Sequence, residues 1–334
     1  MSAILSICIP TFNRAEFLKE CLNSVLLSAR GFEQQLEIVI SDNASTDSTY
    51  DVIRVFQCSD PWIRYYRKDT TVSAEINFYD VANAATGQYI WVFGDDDRME
   101  LGAIECVLAK IESGFGLIIC NYSVWDKHFS FRKKLDGLNK GKEQSFADPN
   151  LLLRRFHLYL GYISAVVFRK PIFFMLKYDE YESFVQYGFP FMYSIYTGVI
   201  NDKCRATYIS ASIVRNRSGN ASSGDEWYKV FVTGSSLIFD ALSTKGYSKE
   251  AIHVAKRNVI KNCVIPRIAY EAASGTLLRI QTLNMLLPHY KGILYFWVVC
   301  LPLFLLPGRF IFVLRQAYLK IRSDPQHPSD RGCP

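Results

Sequence analysis

The first third of the chain alternates short apolar runs with amphipathic stretches. Ile4 to Ile9 is apolar and closes at Pro10, and Leu18, Cys21, Leu22, Val25 and Leu26 then recur at helical spacing, predicting a helix from Arg14 to Ser28. Glu37 to Ser41 reads as the next strand. Asp42-Asn43-Ala44-Ser45-Thr46-Asp47 is turn and cap chemistry leading into a helix over Thr49 to Gln57. Ile63 to Tyr66 is a third strand and Ala74 to Ala85 a third helix, followed by Gln88 to Phe93, a β-branched and aromatic run typical of a buried strand. This alternation predicts an α/β fold, Rossmann-like, with a mainly parallel central sheet. Ligands of such sheets bind outside the carboxyl ends of the strands.

The pattern changes further on. Leu117 to Cys120 and Gly161 to Phe168 read as strands, the second ended by Arg169-Lys170-Pro171, and Asp148-Pro149 starts a helix. Between them Lys127, Arg132, Lys133, Lys134, Lys140 and Lys142 lie in a polar, glycine-containing hairpin or loop, either a solvated face or a contact for anionic headgroups or a carrier diphosphate. Beyond Gly224 the patterning is helical, over Trp227 to Leu242 and Lys249 to Ala273. Gly292 to Gly308 then runs 17 residues without a charge, broken by Pro302 and Pro307, and Arg309, Arg315, Lys320 and Arg322 space out the apolar segment that follows. An interfacial helix is the expectation here, over a single span or a buried core helix. The organisation predicted is residues 1–224 as one domain in two halves, 1–115 and 116–224. A helical, membrane-associating region 225–322 follows, with its interfacial segment at 292–322, then a polar, proline-rich, disordered tail 323–334.

Composition narrows the class. The 334 residues are 49% apolar and 14% aromatic, which excludes a mainly disordered chain. Nine scattered cysteines without a Cys-x-x-Cys pair indicate reduced thiols rather than a disulfide framework or zinc site. The amino terminus enters its first strand with no basic region or cleavage site, so no secretory signal is expected. A net charge of +6 without a recognised binding module argues against a nucleic-acid role.

The chemistry concentrates at strand ends. The run Gln88 to Phe93 stops, through Gly94, at Asp95-Asp96-Asp97. Three adjacent carboxylates repel one another unless a cation sits among them, and oxygen ligands of this kind suit Mg²⁺ or Mn²⁺ together with substrate phosphates. A solvated strand-to-loop turn is the plainer alternative. No Gly-x-Gly-x-x-Gly follows the first strand and no Gly-x-x-x-x-Gly-Lys-Ser/Thr occurs, so phosphates are not cradled by a glycine loop. Asp42 at the end of the second strand is an acceptor suited to a base N–H or ribose hydroxyl, or a cap for the next helix.

Three ordered segments, Ser6 to Arg14, Glu37 to Asp47, and Ala85 to Ile90 running into Asp95-Asp96-Asp97, resemble the successive motifs of family 2 glycosyltransferases with the GT-A fold. The resemblance implies that 1–224 is a GT-A glycosyltransferase domain with a donor half 1–115 and an acceptor half 116–224, and a nucleotide-sugar donor held by Pro10, Thr11, Asn13, Arg14, Asp42, Asn77 and Asp95. It also implies a divalent metal, Mn²⁺ or Mg²⁺, held by Asp96 with Asp97 and Asp95. The family's usual first metal-motif acid aligns with Gly94, which makes Asp96 the preferred ligand. The Ser-Asp-Asn-Ala-Ser and Phe-Gly-Asp-Asp-Asp variants look like the subgroup containing abequosyltransferases of O-antigen assembly. That subgroup implies a CDP-linked 3,6-dideoxyhexose donor, a polyprenyl-diphosphate-linked acceptor and work at the cytoplasmic face of the bacterial inner membrane. Other donors, with UDP, GDP or dTDP, stay open.

Inverting transfer needs a carboxylate to take the acceptor proton. The family's Glu-Asp base motif has no clean copy, and Asp179, Glu180 and Glu182 lie in the corresponding region, with Asp225 and Glu226 also acidic. Retention of configuration would need no such base. A nucleotidyltransferase and a non-catalytic membrane scaffold are the readings from other classes.

Overall fold

The computed structural model describes residues 3–135, 137–138, 141–219, 225–307 and 310–311. Ten strands form one sheet: β1 (Leu5–Thr11), β2 (Leu36–Asp42), β3 (Ile63–Arg67), β4 (Tyr89–Val92), β5 (Arg98–Met99), β6 (Leu117–Trp125), β7 (Arg132–Lys134), β8 (Gln144–Phe146), β9 (Val166–Arg169) and β10 (Ala206–Arg217). The order is β3-β2-β1-β4-β9-β6-β10-β5, with β7 paired to β6 and β8 to β10. Strands β3, β2, β1 and β4 are parallel, as are β6 and β10, while β9 runs antiparallel between the two sets.

Helices α1 (Ala15–Ala29), α2 (Thr49–Ser59), α3 (Ala74–Ala84) and α4 (Ala103–Glu112) connect the strands of the first 125 residues, close to where the periodicity puts the first three. Alternation along β1 divides the core. Leu5, Ile7 and Ile9 pack with Leu18, Cys21, Leu22 and Val25 of α1, whereas Cys8 faces the opposite cluster with Val81 and Ala82 of α3. That second cluster also takes in the helices Pro149–Phe156 and Pro190–Asp202 and the helical residues Val232, Phe239, Ala255 and Ile260. The carboxy-terminal helices therefore bury their apolar faces against the sheet layer.

Those helices follow the expected spans with three irregularities among the described residues, one of them a π-turn at Phe296–Cys300. A π-turn at Lys229–Gly234 precedes Ser235–Thr244, and another at Ile260–Val264 joins Lys249–Val259 to Ile265–Ser274. At the first, the backbone of Gly234 approaches the Tyr187 carbonyl so closely that a Cβ would overlap it.

Gly161 to Phe168 corrects a sequence expectation. It is not one strand: tight 3₁₀ turns at His157–Gly161 and Ile163–Ala165 come first, and only Val166–Arg169 pairs in the sheet. Tertiary contacts outweigh the strand-like pattern. The Trp91 indole N–H donates to the Ser164 carbonyl and the Gly94 N–H to Ser164 Oγ, which draws the segment under the end of β4. The basic stretch after Trp125 is a hairpin, as expected, with β7 antiparallel to β6. Lys140, Arg309, Arg315, Lys320, Arg322 and the tail 323–334 lie outside the described residues.

Candidate active site

A cleft of about 820 Å³ opens at the carboxyl ends of β1, β4 and β10 and the amino-terminal turn of α3. Pro10, Thr11 and Arg14 line it from the first strand, Thr71, Ala74 and Asn77 from the third helix and its approach, Asp95, Asp96 and Asp97 from the floor, and Tyr162, Asn216 and Arg217 from the far wall. Among the described residues these three aspartates are its acidic lining.

Each acid has different surroundings. Asp95 is buried, its Oδ2 accepting from Thr11 Oγ1 at 2.7 Å and its Oδ1 from Arg14 at 3.0 Å. Burial pushes its pKa up to about 6, against the pull of Arg14. Asp96 Oδ2 also pairs with Arg14 at 3.0 Å. Asp97 is the most enclosed: Oδ2 accepts from Tyr162 and Ser164, both at 2.6 Å, and Oδ1 from Asn216 Nδ2 at 3.3 Å and the Arg217 N–H at 3.2 Å. Burial, then Asp96, raises it to about 7. Tyr162 is driven well above its ordinary pKa by burial and by Asp97, so it stays a protonated donor. Gly94 fits this packing. A Cβ there would lie 3.2 Å from oxygens of Asp96, Asp97 and Ser164, so the acid common at this place in the family motif would crowd the pair.

The loops after β1 and β2 lock together. Asn13, at φ 52°, donates its N–H to Ser45 Oγ at 2.9 Å and accepts at Oδ1 from the Thr46 N–H at 2.7 Å. Asp42 is fully buried and does not line the cleft; its oxygens take the Ser45 N–H at 2.8 Å and the Tyr65 hydroxyl at 2.9 Å. Its neighbour Asn43 reaches the cleft instead, exchanging hydrogen bonds with the Val72 backbone. Asn77 lines the cleft and is aimed by Ser41, whose hydroxyl donates to its Oδ1 at 2.5 Å.

The structure does not bring the acidic segment 179–182 to this cleft. Glu180 accepts from the Lys245 ammonium at 2.8 Å and from the Tyr193 hydroxyl, and these donors hold its pKa low against the effect of burial. Asp179 and Glu182 are exposed on the same short helix, Tyr178–Ser183. The helix Pro190–Asp202 supplies Tyr193 and fixes Glu180 outward. Asp225 opens a further helix, and its side chain lies outside the described ones.

Tyr162, Ser164, Asn216 and Arg217 enter the site without having been singled out for it. Arg217 is buried. Its guanidinium donates to the Asp96 carbonyl at 2.8 Å, to the Lys127 carbonyl at 2.5 Å and to Glu20, between the rings of Phe17 and Phe129. The visible signal was the polar run Arg215 to Gly219 closing a β-patterned stretch.

The donor set suits a hard divalent cation in a particular way. Among the described residues no three His, Cys, Asp or Glu side chains are disposed as a closed metal cage. Asp97 is committed to four donors. Asp96, with Asp95 beside it, fits a site in which one or two carboxylates are completed by substrate phosphates.

The model of the family described as glycosyl transferase family 2 matches residues 6–173. The abequosyltransferase RfbV of Salmonella typhimurium is 27% identical over 66% of this chain and 68% of its own length. The GalNAc(5)-diNAcBac-PP-undecaprenol beta-1,3-glucosyltransferase of Campylobacter jejuni is 26% identical over 46% of this chain and 48% of its own. Among solved structures, residues 1–349 of S. aureus TarS with UDP-GlcNAc superpose with a TM-score of 0.63 over 87% of this chain and 81% of that one, at 12% identity, a likeness of fold.

Proposed function

The chain belongs to glycosyltransferase family 2 and is a glycosyltransferase, and we propose that it moves a 3,6-dideoxyhexose such as abequose from a CDP-linked donor to a sugar of a polyprenyl-diphosphate-linked O-antigen intermediate. The observation that carries this reading is the convergence of Thr11, Arg14, Asn77 and the acid triplet on one cleft at the strand ends. Three further points support it. The relative over most of the chain is named an abequosyltransferase, and another is named for an undecaprenyl-diphosphate-linked substrate. The cleft also carries an apolar wall of Val72, Phe78, Ile163 and Phe231, which suits a sugar lacking hydroxyls at C3 and C6.

In this reading Asp96, with Asp95, would hold Mn²⁺ or Mg²⁺ together with the donor diphosphate, and the chemistry supplied there when the cation is bound would be charge compensation of the leaving diphosphate. Thr11 fixes Asp95, and the Arg217 guanidinium fixes the Asp96 carbonyl, so the acid loop is set before substrate enters. Asp97 clamps β10 and the Tyr162–Ser164 turn to the floor. Asn77, whose amide is held at both ends by the Ser41 hydroxyl and carbonyl, borders the cleft on the donor side.

The enzyme would work at the cytoplasmic face of the inner membrane. Leu294, Trp297, Val298, Pro302 and Leu305 are exposed at helical spacing in a stretch without charge, an apolar stripe suited to lying in a bilayer interface. Among the described residues no helix is long and apolar enough to cross a membrane.

Asp96→Asn tests the site. Turnover of CDP-abequose onto a lipid-linked acceptor, with Mn²⁺, should fall by about 10²-fold or more with the melting temperature unchanged. Undiminished turnover would remove Asp96 from the chemistry.

A further inference from the structure

Three neighbouring carboxylates call for compensating positive charge, and part of that charge comes from the chain itself. One Arg14 nitrogen lies 3.0 Å from Asp95 Oδ1 and 3.0 Å from Asp96 Oδ2. Burial works against the charge on Arg14, and Asp95 and Asp96 more than restore it. The two ends of this bridge are anchored differently. Asp95 is buried and held by Thr11, whereas the Arg14 side chain is 39% exposed and opens on the cleft. Arg14 also sits just ahead of α1 with non-helical φ −139° and ψ 41°, so its side chain can swing by rotamer changes without disturbing the helix.

A cation bound to Asp96 through Oδ2 would sit against this guanidinium, and like charges at such separations repel strongly in a partly buried cleft. One of them must move. Resting on the reading of the cleft as a nucleoside-diphosphate site, we propose that Arg14 is an exchangeable counter-ion. It neutralises Asp95 and Asp96, gives up Asp96 when a divalent cation binds there, and turns its planar donor fork onto the diphosphate that arrives with the cation.

Arg14 thereby makes metal and nucleotide binding depend on each other. The metal alone must take Asp96 from an arginine that is left with Asp95 only, so its apparent affinity is reduced by the fraction of molecules in which Asp96 is held. With the diphosphate present, the displaced guanidinium gains a partner. Coupling of this kind is reciprocal: each ligand raises the affinity of the other by the same factor.

The test is a titration of Mn²⁺, followed by the electron paramagnetic resonance of the unbound ion, into wild type, Arg14→Gln, Arg14→Lys and Asp96→Asn, each with and without CDP. Arg14→Gln should bind Mn²⁺ alone about tenfold more tightly than wild type and show a several-fold smaller gain on adding CDP. Arg14→Lys, which keeps the charge, should stay close to wild type for Mn²⁺ alone. Asp96→Asn should abolish binding in every background. If folded Arg14→Gln binds Mn²⁺ no more tightly than wild type, with or without nucleotide, the counter-ion role is overturned. Failure of the nucleotide-site reading looks different: CDP and other nucleoside diphosphates would leave Mn²⁺ affinity unchanged in wild type, while the comparison with Mn²⁺ alone still decides the role of Arg14.

Discussion

Arg217 shows how much of the site rests on a side chain far along the chain from the acid triplet. Its guanidinium ties the Asp96 carbonyl to the hairpin carbonyl of Lys127 and to Glu20 of α1, and its own N–H holds Asp97. Arg217→Gln leaves the Asp96 and Lys127 carbonyls without their donor, while Glu20 keeps Arg98, and should cost about 2 kcal/mol of stability. Arg217→Lys keeps the charge but loses the planar fork. It should stay folded yet lower kcat by about tenfold with a smaller change in donor KM. Steady-state kinetics beside thermal unfolding separates these effects, and an unchanged kcat in Arg217→Lys would make the residue structural only. At this scale the sequence was legible where chemistry is unusual. Asp95-Asp96-Asp97 announced itself by residue type, whereas Thr11 and Arg14 entered through the family resemblance, and hydrogen bonds join them to the acids. Tyr162, Ser164 and Asn216 did not, because ordinary polar residues become part of a site only through long-range packing. Asp42 was legible as polar but not as enclosed by Ser45 and Tyr65.

At the scale of elements, one carboxylate organises the donor-half sheet. Glu37 at the start of β2 accepts from Ser6 of β1 at 2.5 Å, from the Thr86 hydroxyl at 2.9 Å, from the Thr86 and Gly87 N–H groups before β4, and from Arg64 of β3 at 2.9 Å. Burial raises its pKa, but these hydrogen bonds outweigh that and hold it below the usual 4.5. A depressed carboxylate stabilises the fold fully above its unfolded value, and the contribution is lost as pH falls through the folded value. Glu37→Gln should therefore cost about 3 kcal/mol at pH 7, with the gap to wild type closing below about pH 4.5. Denaturant melts at several pH values measure it; a gap independent of pH would contradict the linkage. Regular elements with one apolar face were readable from periodicity, as α1 and β2 show. Gly161 to Phe168 was not, since its apolar pattern suits a strand while its Ser164 contacts to Trp91, Gly94 and Asp97 demand turns. The π-turns likewise follow from tertiary contacts such as Gly234 against Tyr187.

Over the whole molecule, the cleft lies at one end of the sheet and the carboxy-terminal helices close the face opposite α1. The stripe of Leu294, Val298 and Leu305 is 62–75% exposed, and the proposed placement against lipid gives a role to a charge-free run that is at the lower limit for a span and broken by Pro302 and Pro307. Replacing these three with Asp should cut co-sedimentation with vesicles of bacterial lipids several-fold and leave turnover of a water-soluble acceptor intact. Equal vesicle binding would assign the stripe another role. The central claim is that this cleft hands a sugar from a nucleoside diphosphate to a lipid-linked acceptor, and direct product analysis tests it. Purified protein would be offered CDP-abequose, with UDP-, GDP- and dTDP-sugars in parallel, plus a polyprenyl-diphosphate oligosaccharide and Mn²⁺. The account predicts a glycosylated lipid product and release of CDP, both abolished by Asp96→Asn in a folded protein. Folded wild type that releases no nucleoside diphosphate from any donor and leaves the acceptor unchanged would contradict it.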